Sequence, residues 1–594
     1  MNRLRRFVAG LLLLTLLATL APAAHAQVLK QLPADALVIF KLNNPQAFSG
    51  KFVALAQKLG LANLHPALAD PLSFLVQQLG LKEGFDPKGE VALAMYAPAE
   101  GENDPRFLLL IPVSDYPAFL KNLANAKTEG DLTTFNMPDD QDPVFAANWG
   151  AYAAITPWKA LVLQKPAGIE FAGLPAQQLD SNDFVIIANI KALGAKYLPL
   201  VQQVREPMLK QAEQQLAANA AVNPKLVPVI MAAVGQFVAL NEHVLAEGQA
   251  ATLGLSLSDK GLNLTLVAEF EPSSYLGQTL ASIKNTSDAS LLAGLPNRKF
   301  FVYGGLINDP AVTSKILDDI AAPIRKAAES VDEAKGFLSL FDAAKATFET
   351  TTAISGAWAA PAPDAKVSSL MQQLVVYAGD AKKLQQANRQ YFQAMADIIK
   401  ATQGADSSAE IKPDAKTIEN ASFDQVTLQP KFDTATPEAA RAAEFASIFL
   451  GSEGINVLMG PAGEQAFVSV AGGDDELLSA TIASAKKQED TLGQAPNLAA
   501  VAEQLPKKKA AVLYVALDNV ITEVLRQIGL KMGAPIPLKL PPDLPPIGIS
   551  AATEGPAFRA DFHLSSELIS TLASTAVQAM PMMMGPRAGP PPQQ

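Results

Sequence analysis

Cysteine is absent from all 594 residues. That excludes disulfides, thiolate nucleophiles, zinc–thiolate centres and lipid attachment at a cysteine. Histidine is nearly as scarce, at four, and only His65, His243 and His563 lie beyond the first 26 residues. None of the three has a second histidine or carboxylate at a zinc-binding interval, so each reads as a surface or hydrogen-bonded residue rather than a ligand or base. Trp149, Trp158 and Trp358 are too few and scattered for a sugar platform and read as packing residues. No Gly-x-Ser-x-Gly elbow, Walker loop or Gly-x-Gly-x-x-Gly fingerprint occurs, so nucleotide chemistry lacks a motif and a hydrolase would need an unmarked serine. Paired carboxylates acting from distant positions stay open, because such partners need only meet in space.

Long apolar runs are missing too, apart from Val8–Leu20. Arg3, Arg5 and Arg6 precede that run, and Ala24-His25-Ala26 follows it as a small-x-small cleavage site. Residues 1–26 therefore read as a signal peptide, with a mature periplasmic or extracellular protein beginning at Gln27. Without those three arginines, 44 basic residues face 58 acidic ones, a net charge of −14. This balance argues against a nucleic-acid partner and against electrostatic adhesion to anionic lipid. Val227–Leu240 is too short to span a bilayer and contains Pro228 and Gln236, so it reads as a core or groove-lining helix and no membrane span is expected.

What the chain does have is repetition. Ala268-Glu269-Phe270 leads into Ser273-Ser274 and a helix with Leu276 and Leu280; Ala560-Asp561-Phe562 leads into Ser565-Ser566 and a helix with Leu568 and Leu572. Four short apolar runs read as buried strands: 37–40, 184–187, 300–303 and 512–515. Leu32-Pro33, Leu295-Pro296 and Leu505-Pro506 introduce three of them. Asn44 before Pro45 and Asp309 before Pro310 are helix caps, and Asp518 is expected to cap the last copy. Hairpins follow. In 262–270 one face collects Leu262, Leu264, Leu266, Ala268 and Phe270 for burial. In the later hairpin Phe558, Ala560 and Phe562 share a register, with Arg559, Asp561 and His563 on the polar side. Looser repeats pair the helix after Asp115 with the one after Asp474, each behind a hairpin (90–113 and 455–470).

The expected fold is α+β. Repeated βαββα modules, roughly four of them, form antiparallel sheets covered on one face by helices. Two related halves span 27–287 and 288–580, and 581–594 is a disordered Pro/Met-rich tail. Segments 359–364 and 403–416 read as loops, and 535–546 as an extended connector. The long amphipathic stretches 197–247 and 310–349 read as cover for the sheet, with a groove or oligomer contact as the alternative.

The signal, the Leu32-Pro33-Ala34-Asp35-Ala36-Leu37 entry to a buried strand, and the repeated strand–helix–hairpin–helix units together resemble uncharacterised secreted repeat proteins of planctomycete-type bacteria. The resemblance spans most of the mature chain. It implies export and fold, and carries no functional residue.

No catalytic, cofactor-binding or metal-ligating residue is singled out. Asp139-Asp140-Gln141-Asp142 lacks the alternation, glycine and distal glutamate of a calcium loop and reads as a solvated turn. Gly472-Gly473-Asp474-Asp475-Glu476 reads as helix capping with favourable N-terminal charge. A non-enzymatic binding or structural protein, with a protein or apolar ligand as partner, is the preferred function. The alternative is an extracytoplasmic hydrolase with serine or carboxylate chemistry.

Overall fold

The computed structural model describes residues 27–583 except 63–64, 138–141, 165–166, 220–222, 330, 360–371, 404–407, 430–439, 442–454, 474, 488–490 and 534–539. The signal segment 1–26, the tail from 584, Asp139–Gln141, Asp474, residues 360–364 of the expected loop and residues 535–539 of the expected connector lie outside the described residues.

The protein is α+β, and among the described residues twenty strands form one antiparallel sheet. The first ten are β1 (Val38–Leu42), β2 (Val91–Tyr96), β3 (Arg106–Pro112), β4 (Lys127–Glu129), β5 (Leu132–Asn136), β6 (Pro143–Trp149), β7 (Tyr152–Thr156), β8 (Phe184–Ala188), β9 (Gly248–Ser258) and β10 (Gly261–Phe270). The others are β11 (Val302–Ile307), β12 (Thr351–Ala359), β13 (Gln372–Gly379), β14 (Ser408–Ile418), β15 (Ala421–Gln429), β16 (Ile455–Pro461), β17 (Ala466–Ala471), β18 (Ala511–Val515), β19 (Ile547–Glu554) and β20 (Ala557–Ser565). Neighbours run β4-β5-β6-β7-β3-β2-β1-β8-β9-β10. They continue across β10–β20 into β20-β19-β18-β11-β12-β13-β17-β16-β15-β14.

The four apolar runs supply β1, β8, β11 and β18, and β1 pairs with β8 as β11 pairs with β18. Leu32, Leu295 and Leu505, the leucines before the prolines, are all buried in the clusters against these strands. Asn44 and Asp309 cap helices α1 (Pro45–Lys58) and the helix at 310 as expected, accepting from Ala47 N–H at 3.0 Å and Ala311 N–H at 3.2 Å.

Helices on one face only were expected; around β1 both faces are covered. Ile39 of β1 packs with Ala92, Leu110 and Val185 in one cluster, closed by Val28, Leu29, Leu161 and Leu179 of α4 (Gly173–Ser181). On the opposite face Leu42 and Phe40 meet Phe48 of α1 and Leu75 of α2 (Pro71–Gln78), and Phe119 of α3 (Tyr116–Leu120) packs on Ile111 and Ile155. A continuous apolar run has no polar side to show to water, so each face requires its own cover.

Five long helices, with the short α7 among them in chain order, behave differently. They are α5 (Ile190–Ala218), α6 (Val227–Glu247), α7 (Tyr275–Ser282), α8 (Pro310–Ala328), α9 (Lys335–Thr350) and α10 (Ala381–Gln403). α5 packs on α6, α6 on α8, α8 on α9 and α9 on α10. The expectation that 197–247 covers the sheet fails, because α5 buries only Gly194, and α6 buries only Val227, Val229 and Val238. Val229 joins Ile324, Ala328 and Ala334, which fixes the tip of the α5–α6 hairpin to the α8–α9 connection.

Helices α11 (Asp475–Lys487), α12 (Leu517–Met532) and α13 (Ser566–Met583) complete the set used below. Asp518 sits inside the first turn of α12 rather than at its cap, and accepts Leu544 N–H at 3.3 Å. Residues 408–416 are strand, not loop, because pairing with β15 overrides their polar composition. α13 runs through Pro581 to Met583, beyond the expected start of the tail.

Candidate binding surface

Phe270 at the end of β10 is buried as expected, but at the sheet centre the expected burial is reversed. Leu266 is 41% exposed, whereas Val267, Asp561 and His563 on the opposite face are buried. Leu174 of α4 lies on Val267 and Ala557 there. That face can be buried because its polar groups satisfy one another across the β10–β20 pair. Thr265 Oγ1 donates to Asp561 Oδ1 at 2.9 Å, and Arg559 donates to both Asp561 oxygens at 2.8 Å. His563 Nδ1 lies 2.7 Å from Asn263 Oδ1. Burial, and secondarily the Lys260 charge, push the His563 pKa below its ordinary value.

The other histidines are equally engaged. His65 caps the short helix 66–69, its Nδ1 accepting from Ala67 N–H at 3.1 Å. His243 on α6 pairs with Glu247 four residues on, a carboxylate at a helical interval that the sequence reading passed over. Its ring also lies 5.6 Å from that of Tyr275. Burial raises the Glu247 pKa, but the Leu276 amide and His243 outweigh it and hold the carboxyl below its usual value. Among the described residues no group of three histidines and carboxylates is close enough to hold a metal ion.

A depression of about 450 Å³ is lined by Ser290, Ser355, Glu464, Gln465 and Lys486 among others. Two of its polar groups are already engaged: Ser355 Oγ donates to Ala293 O at 2.6 Å, and Lys486 pairs with Glu419 at 2.6 Å.

The half-open face of the central sheet has a different character. Register places Leu253, Leu266, Ala560, Ala551, Ala511 and Leu306 side by side, in one row across β9, β10, β20, β19, β18 and β11. At a strand spacing near 4.8 Å the row is about 24 Å long. Its centre is three alanines and its ends are leucines. The neighbouring row, Leu255, Leu264, Phe562, Ile549 and Leu513, stands taller on one side, and Phe558 rises on the other. Small side chains between large ones make a shallow apolar trough. Leu253, Leu266, Leu306 and Leu513 are each 38–41% exposed along it.

No family model matches the chain, and no curated protein matches it. Among solved structures, crystal form I of TP0453 is 11% identical, with TM-score 0.20, over 42% of this chain and 80% of that one. Crystal form III of TP0453 is 10% identical, with TM-score 0.18, over 48% of this chain and 98% of that one. Similarity at this level carries no argument about fold or function.

Proposed function

We propose that the chain is an exported, non-enzymatic binding protein that takes an elongated apolar ligand along the alanine-floored trough. The observation that carries the reading is the row of six apolar side chains spanning six strands, with its leucines left open to solvent. Contiguous apolar surface of this kind, rimmed by larger side chains, is how soluble proteins present a binding site.

The chain is also read as two related halves, 27–287 and 288–580, built from βαββα units. Support comes from the strand order, since each strand of the second series holds the place of the one numbered ten lower in the first. Export rests on residues 1–26, with Gln27 as the mature N-terminus.

Titration with N-phenyl-1-naphthylamine tests the trough, because this apolar dye fluoresces on leaving water. The parent should bind it saturably. Filling the floor with Ala551→Leu and Ala560→Leu should weaken binding by about tenfold or more, the equivalent of 1.4 kcal/mol. Unchanged dye affinity in a variant with the parent's circular dichroism would refute the assignment.

A further inference from the structure

The α5–α6 hairpin carries a second apolar surface, independent of the trough. Residues 226–241 of α6 contain no charged side chain. Pro224–Glu247 is long and apolar enough by composition to cross a membrane, with a mean hydropathy of 1.5 over its most apolar 18 residues, yet only 11% of those residues are buried. Phe237, at 69% exposure, is the most exposed large apolar residue among those described. On α5, Leu200, Val204 and Met208 recur every fourth residue and are all exposed. Arg205 and Glu242 pair at 3.2 Å, which sets the two helices' facing sides. At 100° per residue, Val204, Met208 and Phe237 then fall on one common side of the hairpin.

Charge identifies the occupant. The hairpin, residues 190–247, holds five basic side chains and four acidic ones, net +1 in a chain of net −11. Around the α5 axis, Lys196 and Lys210 lie roughly 80° and 120° from Val204, both on the side turned away from α6, while Glu206 and Glu213 lie on the far side. An apolar stripe with lysines along one edge and its acids turned away is the pattern of a helix lying in a bilayer interface. A protein partner for so acidic a chain would not need this local inversion. We propose that the hairpin lies flat on an anionic lipid surface, with Val204, Met208 and Phe237 in the headgroup–acyl boundary and Lys196 and Lys210 reaching the headgroups. It lies rather than spans, because Arg205–Glu242, Lys225–Glu333 and the Val229–Ile324 cluster hold α6 against protein along its other sides.

The test is co-sedimentation of the chain from Gln27 onward, so that the apolar run at 8–20 cannot contribute. The probes are vesicles of phosphatidylcholine alone and of phosphatidylcholine with phosphatidylglycerol in equal amounts. The protein should bind the mixed vesicles at least about tenfold more tightly, with salt weakening the preference. Val204→Asp with Phe237→Asp should abolish binding, and Lys196→Glu with Lys210→Glu should erase the preference for phosphatidylglycerol. A Phe237→Trp variant, expected to fold as the parent does, should shift its emission to the blue on mixed vesicles. No binding to either vesicle, no spectral shift, or a solution dimer that Phe237→Asp dissociates without any lipid binding would each overturn the proposal. These outcomes are separate from dye binding in the trough, which the hairpin variants should leave intact.

Discussion

Replacing Lys41 by Met should unfold the region around β1 with a loss of about 3–5 kcal/mol, the usual cost of removing one partner from a buried ion pair. Lys41 is wholly buried on β1, with its ammonium 2.8 Å from Glu90 Oε1, 3.0 Å from Leu179 O and 3.7 Å from Asp180. It also donates to Asn43 Oδ1. Glu90, nearly as buried, accepts Val28 N–H at 2.8 Å through its other oxygen. Methionine keeps the length of the side chain but strands the Glu90 carboxylate among apolar neighbours. Glu90→Gln should cost less, about 1–3 kcal/mol, because Lys41 keeps its other acceptors and glutamine can still accept from Val28. The double variant should recover part of the sum, since the stranded charge is gone, and a coupling of about 1–3 kcal/mol is expected. Urea denaturation followed by Trp149 and Trp158 reads the right place, because both pack against the cluster beside Lys41. A Trp358→Phe background silences the remaining tryptophan. A Lys41→Met midpoint within experimental scatter of the parent, or strictly additive single variants, would refute the reasoning.

His563 gives a pH prediction. Burial lowers its folded pKa below the unfolded value near 6.5. The unfolded chain therefore binds the extra proton first as pH falls, and the stability this histidine contributes is present above 6.5 and is lost on acidification towards the folded pKa. His563→Gln should flatten the denaturation midpoint between pH 7 and pH 5; an unchanged slope would refute the assignment. Two glycines of the hairpin should respond oppositely to alanine. A Cβ at Gly194 would sit 2.1 Å from Leu245 O, so Gly194→Ala should destabilise by about 1–3 kcal/mol. Gly235 has open space around it within a helix, so Gly235→Ala should stabilise by about 0.5–1 kcal/mol. Thermal melts of both variants decide the matter, and effects of the same sign would count against the packing described.

The strands and caps were legible because they are local. Four runs of β-branched and aromatic residues between turn signals admit little but buried strand, and Asn44-Pro45 and Asp309-Pro310 carry their own start signals. The buried side of a central strand is not local information. In 262–270 the leucines alternate so regularly that the apolar side looked like the core side, yet Val267 is buried and Leu266 is not. The deciding fact is that Thr265 meets Asp561 and Asn263 meets His563 nearly three hundred residues away, which lets a polar face close. Likewise residues 408–416 looked like part of a loop because nothing in their own composition reveals the strand they pair with. The candidate trough was illegible for the same reason. Ala511, Ala551 and Ala560 are unremarkable until register aligns them.

The trough and the buried polar seam are two sides of a single pairing event. Leu253 and Leu266 come from the stretch before residue 288, whereas Ala560, Ala551, Ala511 and Leu306 come from after it. Neither stretch carries the row alone. When β10 meets β20, a register with Thr265 opposite Asp561 sets Leu266 beside Ala560 on the other face, because side chains alternate strictly along each strand. A slip of one residue would turn Asp561 and His563 towards the trough and the leucines towards α4, at the cost of burying Leu266 while unpairing the acid. The hydrogen bonds of the hidden face therefore specify the apolar row on the open one. This is a physical reason for a buried histidine and aspartate and a half-buried arginine at the centre of a sheet with no titratable cluster on its exposed side among the described residues.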